Sequence, residues 1–194
     1  MRTAVLASGS GTLLEAMLAD GLTVSLVVVD RPSRALDVAA AGGVPGLLVP
    51  RTSYGADFDR AGYSRQVADV LQEAEIDLVA MAGFGTVLAE PMYEAFEHRV
   101  LNTHPSLLPA FKGWHAVPAA LAYGVKVTGC TIHVATLEVD TGPILAQEAV
   151  PVLDDDDEES LHERIKVVER RLYPETIRAV MADPSLLKRE PQSR

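Results

Sequence analysis

The stretch NTHP, residues 102–105, sets an amide and an imidazole two positions apart at the end of an apolar run. In an extended chain, alternate residues project to one side, so Asn102 and His104 address the same volume. A carboxamide N–H group can donate to an oxygen that gains charge during a reaction. An imidazole can accept or hold a proton near neutral pH. Pro105 and Pro109 restrict the following loop, which suits preorganised groups. The structural alternative is a turn with a satisfied Asn and a surface His. Asp140, in LEVDTGP (137–143), is a carboxylate in a turn bounded by Gly and Pro. It can orient an imidazole and favour its protonated form, or simply close an Asx turn. His133, in TIHVA (131–135), is either a second polar site residue or a hydrogen-bonded core histidine. His98, His115 and His162 have weaker claims, and His162 is expected in solvent.

A second candidate site is SGSGT, residues 8–12, between an apolar run and a helical pattern. Backbone N–H groups at a helix opening bind anions, and glycines allow a tight turn and close approach of a ligand. No Lys-Ser/Thr pair follows, so this is not the P-loop. Asp30, at the end of the next apolar run, has the chemistry to bind a ribose hydroxyl. A phosphate site and a purely structural turn both fit these residues.

Other chemistries find little support. There is no Gly-x-Ser-x-Gly elbow for a serine hydrolase. The lone Cys130 allows neither a disulfide framework nor a cysteine metal site, and it is expected to be a buried inert thiol. His104 and Asp140 come without a compact ligand set, so no metal is expected. The consecutive aspartates 154–157 do not match a calcium loop and suit the start of a helix instead.

The elements that must position these residues follow from the apolar pattern. Residues 3–7, 23–30, 44–50 and 76–84 predict strands, the third weaker than the others. Helices are expected over 13–21, 32–43 and 59–73, ended by Gly21 and by the glycines after Ala41 in the first two cases. A short helix near 90–96 then leads to a strand over 98–105. Next come a helix over 115–124 and β-rich segments over 126–135 and 144–152, whose short connection predicts antiparallel pairing. A last helix covers 159–173, with Leu161, Ile165, Val168 and Leu172 on one face. The pattern is α/β: a mainly parallel sheet that becomes mixed late, with a Rossmann-like N-terminal half. One domain over 1–183 and a polar tail over 184–194 are expected.

The 194 residues suffice for a sizeable core, and 48% are hydrophobic. A formal net charge of −10 argues against nucleic acid as partner. No segment reaches the roughly 18 to 20 apolar residues that span a bilayer, and no signal-peptide pattern opens the chain, so a cytoplasmic location is expected.

Three pieces, SGSGT, NTHPSLLPAFKG (102–113) and DTGPILAQ (140–147), together resemble the folate-dependent phosphoribosylglycinamide formyltransferase family. The resemblance runs from about residue 3 to 180. It implies a single α/β domain that carries the formyl group of 10-formyltetrahydrofolate to the primary amine of glycinamide ribonucleotide, in the IMP branch of purine biosynthesis. It also implies that Asn102, His104 and Asp140 are catalytic. Gly9, Ser10, Gly11, Thr12 and Leu13 would hold the nucleotide phosphate, with Lys166 and Glu169 at the ribose end. Phe84, Gly85, Thr86, Val87 and Leu88, with Val139 and Thr141, would line the folate pocket. Three positions depart from the family pattern. Leu13 stands where Asn is frequent, Gly85-Thr86 where Met-Arg is frequent, and Lys112 where Pro is common. Arg60, Lys112, Lys126 and Lys166 are candidates for the positive field that two anionic substrates need. Small molecules are the expected partners, with no metal, nucleic acid or membrane, in a monomer or homodimer. The alternatives are a related formyltransferase acting on another amine, a nucleotide-binding oxidoreductase, or a non-catalytic binding module.

Overall fold

The structure is a computed structural model that describes residues 1–188. Its elements run β1 (Thr3–Ala7), α1 (Thr12–Ala19), β2 (Leu26–Val29), α2 (Arg34–Ala41), β3 (Gly46–Leu48), α3 (Arg60–Glu73) and β4 (Leu78–Met81). They continue α4 (Glu90–Ala95), β5 (Val100–His104), α5 (Ala116–Tyr123), β6 (Val127–Val134), β7 (Ile144–Pro151) and α6 (Glu158–Ala182), with a 3-10 turn at Pro184–Lys188. The strands form one sheet in the order β3-β2-β1-β4-β5-β6-β7. β1 is parallel to β2 and to β4, and β2 to β3, whereas β6 and β7 are antiparallel. This is the mainly parallel, mixed α/β sheet expected from the sequence.

The chain forms two compact units, Met1–Leu101 and the part from Asn102 onward. In the first, every residue of β1, β2 and β4 is buried. Strands covered on both faces read as unbroken apolar runs, which is why these segments lack alternation. β3 is the exception: three residues long and exposed throughout, as its weak pattern suggested.

In the second unit, β6 is buried from Thr128 to Val134 and pairs with β7 across one irregularity at Ile132/His133. Asp157 of the acidic run caps α6: its Oδ1 accepts from Ser160 N at 2.8 Å, and Ser160 Oγ accepts from Asp157 N at 3.1 Å. The run therefore serves the helix start.

α6 is longer than predicted. Its 25 residues pass through Pro174, where the sequence suggested a stop. Tyr173, Pro174, Ile177 and Val180 are all buried. Burying each large side chain is worth roughly 1.5–3 kcal/mol, enough to offset the one hydrogen bond that the proline lacks. On the expected face Leu161 and Ile165 are buried, but Val168 and Leu172 are only partly so, because the buried stripe shifts toward Tyr173. The tail expected from residue 184 begins instead as the 3-10 turn, with Leu187 buried. Residues 189–194 lie outside the described residues. Among the described residues no helix is long and apolar enough to cross a membrane.

Candidate active site

Asn102, Thr103 and His104 are the last three residues of β5. Strand alternation sends Asn102 and His104 one way and Thr103 the other. Asn102 Nδ2 lies 3.3 Å from His133 Nε2 on β6. His133 Nδ1 is 3.0 Å from the Val134 carbonyl, which can only accept, so Nδ1 carries the hydrogen. His133 Nε2 also lies 3.5 Å from Asp140 Oδ1. The other carboxylate oxygen, Oδ2, is 3.3 Å from His104 Nδ1. The structure thus brings together all four predicted residues: Asn102, His104, His133 and Asp140. His133 is both buried and part of the polar group, so the two sequence readings of it coincide.

Asp140 adopts φ +56°, a left-handed conformation that Asp tolerates better than most residues. Burial pushes its carboxyl upward. The neighbouring His133, the Gly113 N–H and the His104 imidazole outweigh that and hold it below the usual carboxylate range.

His104 departs from expectation. The sequence suggested a ring kept protonated by Asp140. Burial instead pushes it below the usual histidine range, against the upward pull of the Phe111 carbonyl and Asp140. Its Nε2 lies 2.8 Å from that carbonyl, so Nε2 carries a hydrogen.

The loop after β5 turns back on the group it follows. Phe111 supplies the carbonyl to His104, and Gly113 N donates to Asp140 Oδ2 at 2.8 Å. The loop is also tied to β6 and β7. Thr131 Oγ1 donates to the Ser106 carbonyl at 2.6 Å and accepts from Leu108 N at 3.1 Å and Gln147 Nε2 at 2.9 Å. Gln147 Nε2 also donates to the Leu108 carbonyl at 2.9 Å. The prolines alone do not set this loop. Thr131, Gln147, Phe111 and Gly113 were missed because backbone partners leave no signature in residue type. Lys112 between them is exposed.

In the first unit, Gly11 caps α1 at φ +69°, and no side chain caps the helix. A Cβ at Gly11 would stand 2.9 Å from Ala35 Cα, so only glycine fits. Gly9, Ser10 and Thr12 are exposed, leaving first-turn N–H groups available to an anion. Arg34 Nη1 donates to the Ser10 carbonyl at 2.8 Å and pairs with Glu15 at 3.0 Å. The Leu13 side chain is buried, so this position offers a ligand only its backbone.

Asp30 does not stand free for a ribose. It is buried, pairs with Arg31 at 3.0 Å and accepts from Thr86 Oγ1 at 2.9 Å. Burial raises its carboxyl, but Arg31, Thr86 and Ser8 together bring it below the usual range. The residue type invited a ligand; the fold gave it an ion pair. The segment expected at the folate is partly enclosed. Thr86 and Leu88 face the interior, while Phe84, Gly85 and Val87 remain partly exposed. Gly85 N donates to Ser8 Oγ at 2.7 Å. Val139 is exposed, and Thr141 Oγ1 donates to the Glu138 carbonyl at 2.9 Å.

On α6, Lys166 Nζ pairs with Glu163 at 2.7 Å. Lys126 pairs with Asp154 at 3.2 Å. Arg60 is exposed and forms no ion pair among the described residues. Glu169 Oε1 accepts from Thr103 Oγ1 at 2.8 Å, and burial raises its carboxyl above the usual range despite Thr103, Arg170 and Lys166. His162, expected in solvent, is half-buried, and burial lowers it. Cys130 is buried, which pushes its thiol up to about 12 and keeps it inert. No cluster of metal-ligating side chains occurs among the described residues.

The formyl transferase family model matches residues 1–177. Over 184 residues the chain is 47% identical to the phosphoribosylglycinamide formyltransferase of Mycobacterium tuberculosis, covering 92% of this chain and 84% of that protein. The protein of the same name from Bacillus subtilis is 33% identical, over 92% of this chain and 93% of its own. Glycinamide ribonucleotide transformylase 1 of Symbiobacterium toebii, a solved structure, superposes with a TM-score of 0.86 at 44% identity, over 92% of this chain and 86% of that one.

Proposed function

The chain belongs to the formyl transferase family, and we propose that it moves the formyl group of 10-formyltetrahydrofolate to the primary amine of glycinamide ribonucleotide in purine biosynthesis. The observation that carries this is one polar group in which His104 and His133 flank the carboxylate of Asp140 and Asn102 meets His133. A dinucleotide oxidoreductase or a simple binding module would leave that group without work.

The neutral amine attacks the formyl carbon, and negative charge collects on the formyl oxygen. Asn102 Nδ2 has two hydrogens; one faces His133, and the other is left to stabilise that oxygen. His104 enters the reaction neutral. The developing anion then favours its protonation, and Asp140 beside Nδ1 makes the imidazolium tolerable. As the carbon–N10 bond breaks, the proton lost by the amine passes to N10, with His104 and Asp140 assisting. No covalent enzyme intermediate and no metal are needed. Much of the gain is proximity and orientation of two bound substrates.

Gly9, Ser10, Gly11, Thr12 and the backbone of Leu13 would take the nucleotide phosphate, and Lys166 with Glu169 its ribose end. Phe84, Gly85, Thr86, Val87 and Leu88 with Val139 and Thr141 would meet the folate. The enzyme would act in the cytoplasm as one domain over residues 1–183, as a monomer or homodimer.

Absorbance-monitored turnover with 10-formyltetrahydrofolate decides the matter. Loss of the formyl group should require glycinamide ribonucleotide and exceed the rates with competing amines and with water. Equal rates with another amine, or with water alone, would overturn the assignment.

A further inference from the structure

Thr103 lies between the two proposed catalytic side chains of β5 and projects to the opposite side of the strand. Its hydroxyl has one hydrogen, donated to Glu169 Oε1 on α6 at 2.8 Å. Cys130 Sγ on β6 lies 3.5 Å from the same hydroxyl. With the Thr103 hydrogen already committed, the Cys130 thiol is the donor of that second contact. Cys130 is fully buried, and burial keeps it a thiol, so the donor persists across the working pH range. The three groups form a chain that runs Cys130 S–H to Thr103 O–H to the Glu169 carboxylate.

We infer that Thr103 is a positioning residue for substrate binding: held by Cys130, its hydroxyl fixes the Glu169 carboxylate in the orientation that receives the ribose hydroxyls of the nucleotide. This rests on the proposed function, which places Glu169 at the ribose. A flexible glutamate loses rotamer freedom when it binds, and a fixed one has lost it already. The hydroxyl also occupies one lone pair of Oε1, which leaves the remaining acceptors of the carboxylate for a diol. No aliphatic residue at position 103 can do this, and serine can.

Valine is nearly isosteric with threonine and lacks only the hydrogen bond. A hydrogen bond to a charged group is worth enough that its loss should raise KM for glycinamide ribonucleotide about tenfold. The effect should fall on KM for the nucleotide, with KM for the folate within twofold of wild type. T103S should restore the nucleotide KM. In T103V the Glu169 carboxyl loses a donor that lowers it, so the acid-side rise of nucleotide KM should begin at higher pH than in wild type. A structural role alone would lower the melting temperature and leave both KM values and the pH profile in place, which would overturn the inference. If T103V does not fold, T103A carries the same readouts. E169Q separates the two levels. If E169Q leaves the nucleotide KM unchanged, Glu169 does not meet the ribose and the assignment of both residues fails. If E169Q raises it and T103V does not, the inference about Thr103 fails alone.

Discussion

His104 Nδ1 lies 3.3 Å from Asp140 Oδ2, and the two side chains are only 6% and 5% exposed. Gly113 N donates to Oδ2, and the imidazoles of His104 and His133 lie beside Oδ2 and Oδ1, where each can donate once its ring carries a second proton. The arrangement separates what Asp140 does by charge from what it does by shape.

D140N keeps the shape and the tolerance for φ +56° but removes the charge. It should lower kcat by at least about a hundredfold, the usual scale for losing electrostatic stabilisation at a transition state. Nucleotide binding and the melting temperature should change little. D140A should lose stability as well, since alanine is strained in the left-handed region, by roughly 1–2 kcal/mol. N102A should match D140N in kcat with nucleotide titration unaffected. Steady-state rates and thermal melts check all three, and near-wild-type turnover in N102A and D140N would remove both from the mechanism.

Much of this site was legible because it is built from side chains whose types announce their chemistry. Asn102 and His104 stand two apart on one strand, and Asp140 follows in a turn, so type and spacing marked them as candidates, and the resemblance to the formyltransferase family joined them into one site. Asp30 shows where type misleads. A terminal strand carboxylate looks like a ribose ligand until Arg31 and Thr86 are seen to satisfy it. The protonation of His104 was misjudged because attraction to a carboxylate can be anticipated from residue types, whereas burial is a property of the assembled fold. The strands were readable as apolar runs. The length of α6 was not, because Pro174 signals a stop locally and only tertiary packing of Tyr173 and Ile177 overrides it.

The depressed histidine makes a prediction about pH. His104 titrates in the folded protein below its ordinary value of 6.5. Between the two values the unfolded chain binds more protons, so stability is complete above about pH 6.5 and declines as pH falls toward the folded value. Asp140, also depressed, adds a loss in the same direction below its ordinary 3.8. With the opposing Glu169 removed by E169Q, urea midpoints should therefore fall from pH 7 to pH 5. H104N should flatten that decline, and H162N should flatten it further, because burial depresses His162 as well. An unchanged slope in H104N would show that His104 is not depressed.

Glu169 has the opposite sign. Its carboxyl is raised by burial, so the folded state prefers the neutral acid. That preference favours folding below the ordinary value of 4.5 and is lost as pH rises through the higher folded value. Above that folded value the protein holds a partly buried charge that costs stability. The melting temperature of wild type relative to E169Q should therefore fall as pH rises from 4 to 9. A stabilised protein with weaker nucleotide binding is the expected trade between function and stability on the alkaline side. A melting-temperature difference that does not change with pH would contradict the raised carboxyl.

The two glycines of the first loop separate folding from phosphate binding. A Cβ at Gly9 meets nothing within 4 Å, whereas at Gly11 it would strike Ala35 Cα at 2.9 Å in a left-handed backbone. G11A should therefore destabilise the protein, by about 1–2 kcal/mol from the backbone conformation alone, with the clash in addition. G9A should melt within a degree or two of wild type. If the loop binds the nucleotide phosphate through backbone N–H groups, a methyl on the exposed Gly9 blocks the close approach that the ligand needs. G9A should then raise KM for glycinamide ribonucleotide by about tenfold or more and leave KM for the folate unchanged. A stable G9A with wild-type nucleotide KM would mean that the loop is a structural turn and that the phosphate is held elsewhere.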